Sequence, residues 1–579
     1  MAIPRPKLAR RRIGVLLSDL VDDYQAAVLG GACETARTRD IDVFCFVGGE
    51  LDSPLLGDDM RNHVFSFVAK AGLDAVLVIA GALVNRCGPT RLNEYCAGLG
   101  AVPVCTIAGK LPGRSSVAVN NRTGVRDAVA HLVRVHGRKR IAFIKGPEPN
   151  DEAIERFDAY RRALAEHKLA FDTRLVAPGD FSSEAGEKAV ALFFGERKLD
   201  VGSIDSIVAA DDTMAFGAMQ ALERRKIRIP SQVAVVGFDD LEEARFTTPP
   251  LTTVRQPLRE QGAAGIRLLI KQLQGEAGED VSLSTTTVLR RSCGCFSGEL
   301  TMPAKPSGNL AGSRLSFEAE LLRRREHLAA DLARAAQGSF ATTPGWEELL
   351  ITSFSEQLRT QSERFTRAFR AMLESLLSEG ADVAAVHEII TLLRRRVLEC
   401  IDDRILRDRA EEIFQEARVI TGEAMERAQA RRRARAERMA GLLGVTSRQL
   451  IAVTSVDELC QVAAQRLPEL GITSCYVSLF EGGPDPEGMA RPLFAYDPEV
   501  SPQIVRGGEP FASRTLAAPQ IRSVGRSRAH AVLSLYAGSA RIGLMAVSLE
   551  GAPAYAYETL ADLIASAVDR IRAVGGSLA

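Results

Sequence analysis

Residues 12–295 predict an α/β fold with parallel sheets: short, wholly apolar runs alternate there with helix-length amphipathic stretches, and the runs lack polar–apolar alternation. Further on, glycine becomes scarce and Leu, Ala, Arg and Glu dominate, which predicts helices. The last segment returns to strand-like runs between two helices, an α+β plan.

The apolar runs are IGVLL, DVFCFV, AVLVIA, VPVCTIAG, RIAFIKG, SIVAA and VAVVGFDD. A strand covered by helices on both faces has no solvent side, so its sequence stays apolar throughout. Residues 24–38, 122–134, 152–167 and 213–225 lie between runs and are long enough for right-handed crossover helices. Residues 1–11 form a basic tail, and FSGELTMPAKPSGNLAGS at 296–313 reads as a linker because Gly, Pro and Ser replace the alternation. Residues 314–443 predict a helical bundle or coiled coil, with Val383, Val386, Ile390, Leu393, Val397 and Ile401 on one face. One charged helix over 418–439 leads into the last unit, 444–579. There Ser455 and Glu458 form a capping box, and AVLSLYAG followed by RIGLMAVSLEG reads as a strand pair.

Seventy-three basic residues cancel seventy-three acidic ones, so any nucleic-acid surface must be local. The apolar run nearest the start is interrupted by Asp19, and no signal-peptide cleavage pattern precedes Asp22, so a cytoplasmic protein without membrane spans is expected. The ten cysteines are sparse and sit mostly in apolar patterns, which favours reduced core thiols. The C-x-C of SCGC supplies two ligands and no matching pair follows it, so no metal and no cofactor are expected. Gly30, Gly31 and Gly237 form no G-x-G-x-x-G, which excludes a dinucleotide fingerprint.

In open parallel sheets, ligands bind beyond the carboxyl ends of the strands. Four groups fall there: Ser18 to Tyr24, Asn120 with Asn121, Asp211 with Asp212, and Asp239 with Asp240. Arg156 adds a five-donor fork suited to vicinal hydroxyls, a carboxylate or a purine edge. Asp211 reads equally well as an N-cap, and Asp239 as a turn former.

The order IGVLLSDL, VAVNNRTG, HLVRVHGRKRIAFIKG, RFDAYRRAL, AADDTMAFGAMQAL, VAVVGFDD and PPLTTVRQP resembles the effector-binding core of the LacI/GalR family, a relative of periplasmic binding proteins. The resemblance implies two lobes, chain crossings near 137, 252 and 284, and a ligand between the lobes. It assigns ligand contacts to Asp22, Tyr24, Asn120, Arg156, Asp211 and Asp239; Asn120 stands where many members carry Asp, and Ala159 where many carry Gly. Only eleven residues precede Arg12, so operator binding through the family's helix-turn-helix headpiece is not expected. GGEPFASRTL, AVLSLYAGSARIGLMAVSLEG and YAYETLADLIASAVDRI resemble the GAF-like module of long bacterial regulators.

These readings predict a non-enzymatic sensor of a small polar metabolite such as a sugar or nucleoside. It would form a homodimer and relay hinge closure through helices to a GAF-like domain and a transcription or signalling partner. The rivals are a regulator that touches DNA through the arginine-rich 427–438 helix and a sugar-processing enzyme, although no nucleophile with a paired base is present. Arg156→Ala is expected to weaken ligand binding with little effect on folding.

Overall fold

The computed structural model describes residues 10–295, 317–335, 345–360, 362–378, 384–482, 488–499, 501–516 and 528–575. The expected linker at 296–313 and Val383 lie outside these residues. Two compact units result, one made of 1–295 with 441–579 and the other of 296–440.

In the first unit, β1 (Arg12–Leu17), β2 (Asp42–Val47), β3 (Ala75–Ile79), β4 (Val104–Ile107) and β5 (Ser115–Val119) pair in parallel in the order β5-β4-β3-β1-β2. Ile13, Val15, Leu77 and Val78 are fully buried, consistent with helices on both faces. The helices Asp23–Thr38 and Leu258–Leu273 cross in backbone contact: a Cβ on Gly31 would lie 1.8 Å from Arg259 O, and one on Gly262 would lie 1.9 Å from Val28 O. Gly31 therefore serves helix packing.

The second lobe is built on β6 (Ile141–Ile144), β7 (Val176–Ala177), β8 (Ser206–Ala209) and β9 (Ala234–Val236), parallel in the order β7-β6-β8-β9. Beside it β10 (Thr253–Arg255) pairs antiparallel with β12 (Thr286–Val288), while β11 (Asp280–Leu283) joins the first sheet outside β5. The chain thus passes between lobes three times. The helix Asn121–His136 already packs on Asp151–Glu166 of the second lobe, so the first crossing falls at Asn120 rather than near 137. The return comes at Gln256 rather than near 252, because Thr253–Arg255 still pairs in the second lobe while Leu258–Leu273 packs in the first. The last crossing lies between Leu283 and Thr286.

Residues 444–579 were expected to form a separate domain reached through helices. The helix Val456–Glu469 precedes β13 (Cys475–Glu481), β14 (Met489–Asp497), β15 (Ser501–Arg506), β16 (Phe511–Ala512), β17 (Ala529–Ala537) and β18 (Ala540–Ser548), and the helix Ala554–Ala573 follows them. The β17–β18 pair is antiparallel, as are β13–β18 and β13–β14. β17 also pairs in parallel with β2, Ala529 to Leu533 against Val43 to Val47, so one sheet runs from β11 to β15. This pairing satisfies the backbone groups of β2, which would otherwise be an edge of the first lobe.

The second unit contains the helices Phe317–Ala335, Trp346–Thr360, Arg364–Ser378 and Ala384–Leu398, and most of Arg404–Ala452. Val386, Ile390, Leu393, Val397 and Ile401 are buried with Phe354, Phe365 and Phe414 in its core. The stripe is therefore used inside one bundle. Within the long helix, Arg427 and Arg433 pair with Glu423 and Glu437 one turn away, as on a solvated helix face. Among the described residues, no helix is long and apolar enough to cross a membrane.

Candidate functional site

A cavity of about 400 Å³ opens between the lobes, lined by Asp22, Tyr24, Arg156, Asp211 and Asp239 among others. Each reaches it through local chain chemistry. Asp22 caps the helix Asp23–Thr38, accepting from Gln25 N at 2.8 Å, and Asp211 caps Asp212–Arg224, accepting from Met214 N at 2.9 Å. Both are N-caps as well as cavity walls, so the structural and functional readings of Asp211 coexist.

Arg156 sits on the helix Asp151–Glu166, buried, with its guanidinium 3.9 Å from the centre of the Phe238 ring. Its Nε donates to Asn121 Oδ1 at 2.9 Å, Nη1 to Ala210 O at 2.7 Å, and Nη2 to Glu152 Oε2 at 3.2 Å. Asp239 lies beyond the end of β9 at φ +123°, a conformation rare for any side chain, and accepts from Gln256 Nε2 at 2.5 Å. Asp240 beside it turns away, into ion pairs with Arg255 at 2.6 Å and Arg290 at 2.5 Å. The Tyr24 hydroxyl is buried and has no hydrogen-bond partner among the described residues.

Acids outnumber bases here, and burial governs their ionisation. Burial pushes the Asp239 carboxyl well above the usual carboxylate range, with Arg156 opposing it. Asp211 is pushed up to about 7, again by burial, partly offset by its helix-capping bond. Glu152 and Asp22 are raised for the same cause. One guanidinium thus serves Glu152, Asp211 and Asp239 together, and hydroxyl donors on a ligand would relieve the excess of acceptors.

Asn120, the remaining candidate, does not line the cavity. Its side chain accepts from Thr123 N at 3.0 Å as an N-cap, its N–H donates to Leu283 O at 2.9 Å, and its carbonyl accepts from Thr285 Oγ1 at 3.1 Å. It therefore ties the first crossing to the third. The neighbouring Asn121 is buried and accepts from Arg156, which lines the cavity. The readings by residue also missed Asn150, whose Nδ2 donates across the cleft to Gly81 O and Asn85 Oδ1, both at 3.0 Å. Its place before DEAIERF was the available signal: an N-cap at the start of the helix that carries Arg156.

The model of the periplasmic binding protein-like domain family matches residues 129–293. The HTH-type transcriptional regulator CelR of Thermobifida fusca is 37% identical over 175 residues, 30% of this chain and 50% of that protein. The HTH-type transcriptional repressor CytR of Escherichia coli (strain K12) is 35% identical over 162 residues, 28% of this chain and 46% of that one. The chain thus spans about half the length of these curated relatives. The repressor PurR of Histophilus somni (strain 2336) is 29% identical over 285 residues, 49% of this chain and 81% of that one. Among solved structures, a transcriptional regulator CelR–cellobiose complex is similar at 27% identity with a TM-score of 0.43, covering 49% of this chain and 85% of that one. Residues 129–293 are a periplasmic-binding-protein-like domain of the LacI-family sensor type.

Proposed function

We propose that this chain is a ligand-gated regulatory sensor that takes a small, neutral, hydroxyl-rich metabolite, a sugar or nucleoside, between its two lobes. The observation that carries the reading is the cavity itself: about 400 Å³, with one buried Arg, several buried acids and a tyrosine hydroxyl without a partner among the described residues. A ligand presenting several hydroxyls donates to Asp22, Asp211 and Asp239 and accepts from Arg156 and Tyr24. An anionic ligand would meet the surplus of carboxylates. The relatives are regulators.

Binding would favour the closed arrangement in which Asn150 reaches Gly81 and Asn85, given differential affinity on the order of a few kcal/mol. Residues 444–579, with two helices flanking a largely antiparallel sheet, serve as a GAF-like receiver. A direct route supports the relay: Glu558 of the closing helix accepts from Leu20 N at 3.0 Å and pairs with Arg61 at 3.3 Å. Leu20 lies in the loop that carries Asp22, and Arg61 itself lines the cavity. On this reading the output side is a homodimer together with a transcription or signalling partner.

Calorimetry on the full chain with monosaccharides, disaccharides and nucleosides tests the reading, with at least one expected to bind and raise the melting temperature. If neutral hydroxylated ligands are silent while small acids bind, the ligand class is wrong; silence across the whole panel removes the sensor reading.

A further inference from the structure

Four side chains that the cavity does not use converge within the second lobe. His131 and His136 lie on the last turns of the helix Asn121–His136, and Cys293 and Cys295 lie on the turn that ends the described part of the core. His131 Nε2 and His136 Nε2 are 3.2 Å apart, and Cys295 Sγ lies 3.4 Å and 3.3 Å from them. One ligand atom from each of the four residues falls within 4.8 Å of every other. We propose that His131, His136, Cys293 and Cys295 form a closed site for one zinc ion.

Proton bookkeeping argues against a plain hydrogen-bonded cluster. Two neutral imidazole nitrogens and one thiol make three mutual close contacts, each nitrogen carrying either a proton or a lone pair but never both. If both nitrogens carry protons they repel, so at most two protons serve three contacts. A cation at the centre replaces the protons and satisfies every donor atom at once. Bonds of about 2.0 Å to nitrogen and about 2.3 Å to sulfur place tetrahedral ligand atoms about 3.3 to 3.8 Å apart, close to the spacing of the His131, His136 and Cys295 atoms.

The surroundings are built to hold this shape. Gly294, between the two cysteines, has φ +111°, and a Cβ there would press to 3.1 Å from the His136 ring, so the residue that fits is glycine. The Cys295 N–H points at Cys293 Sγ at 3.5 Å, as in thiolate sites where amides steady the sulfur. Ser292 pins the turn to the sheet, donating to Val235 O at 2.6 Å and accepting from Thr252 N at 2.7 Å.

Two nitrogen and two sulfur ligands in a tetrahedral set select zinc, and four protein ligands leave no open position for catalysis. The ion would pin the last turn of the lobe to the helix that begins at the first crossing. The C-x-C has no pair after it in the sequence, but its partners lie well ahead of it, at 131 and 136.

The test is elemental analysis of the full chain purified from zinc-supplemented cells, followed by stripping and titration with cobalt(II). One zinc per chain is expected, with the intense visible bands and thiolate charge-transfer absorption of tetrahedral cobalt on titration. Cys295→Ser and His131→Asn should each lower metal content severalfold, and a chelator should lower the melting temperature of the wild type more than that of either variant. The cobalt spectrum of the wild type stands even if both variants fail to fold. Substoichiometric zinc in the wild type, octahedral cobalt bands, or iron or copper in place of zinc would each overturn the proposal.

Discussion

The Arg156 guanidinium lies 3.7 Å from the Asp239 carboxylate, and both side chains are buried in the wall of the cleft. Arg156 is also bonded to Glu152, Asn121 and Ala210, so it holds the second lobe together as well as facing the cavity. This corrects the expectation that Arg156→Ala would spare folding. Its removal strands buried acids, and the variant should lose about 3 to 5 kcal/mol of stability along with ligand affinity, read by denaturant melts and calorimetry. Affinity lost with an unchanged melt would show that the acids find other partners.

Asp211 should make stability depend on pH. Its pKa is about 7 in the folded chain, against about 3.9 in an unfolded one, so the folded state binds more protons between those values. The stabilisation is full below about pH 4 and is lost as pH rises through about 7. Asp211→Asn should flatten this part of the profile, measured as melting temperature against pH. A profile identical to wild type would mean that Asp211 is ionised throughout.

The contact from Asn150 to Asn85 spans the cleft, and Asn85 Nδ2 also donates to Glu50 Oε1 at 3.0 Å. Asn85→Ala should shift the lobes toward the open state and weaken ligand binding about 3- to 10-fold, while the helix cap made by Asn150 to Ala153 N survives. Small-angle scattering with and without ligand gives the readout. Unchanged affinity and unchanged scattering would leave the contact without a role in closure.

Glu558→Ala removes a partner of Leu20 N and of Arg61. The variant should bind ligand, while ligand-induced protection of residues 554–573 in hydrogen exchange is reduced. Full protection in the variant would place the relay in the β2–β17 pairing or elsewhere.

Much of the fold was legible because its signals are local. Unbroken apolar runs mark strands covered on both faces, and the polar residues just after them mark the ends where an open sheet binds ligands. Five of the six candidate residues line one cavity, Asp22, Tyr24, Asp211 and Asp239 for that reason and Arg156 from the helix Asp151–Glu166. Asn120 does not, because a strand-end asparagine can face either the ligand or the hinge, and the choice was made by Leu283 and Thr285, distant in sequence.

The sequence by itself determined which segments become helix or strand, which faces are apolar, and which residues can cap, turn or ligate. Only the tertiary structure decided partners. It paired β2 with β17, turned the Val386 to Ile401 stripe into its own bundle, bonded Arg156 to Glu152, and brought Cys293 and Cys295 to His131 and His136. The physical reason is that backbone preference and hydrophobic patterning act over a few residues. An unpaired strand edge, an apolar stripe or a lone C-x-C states a need that many distant segments could meet, and packing of the whole chain selects the one that does.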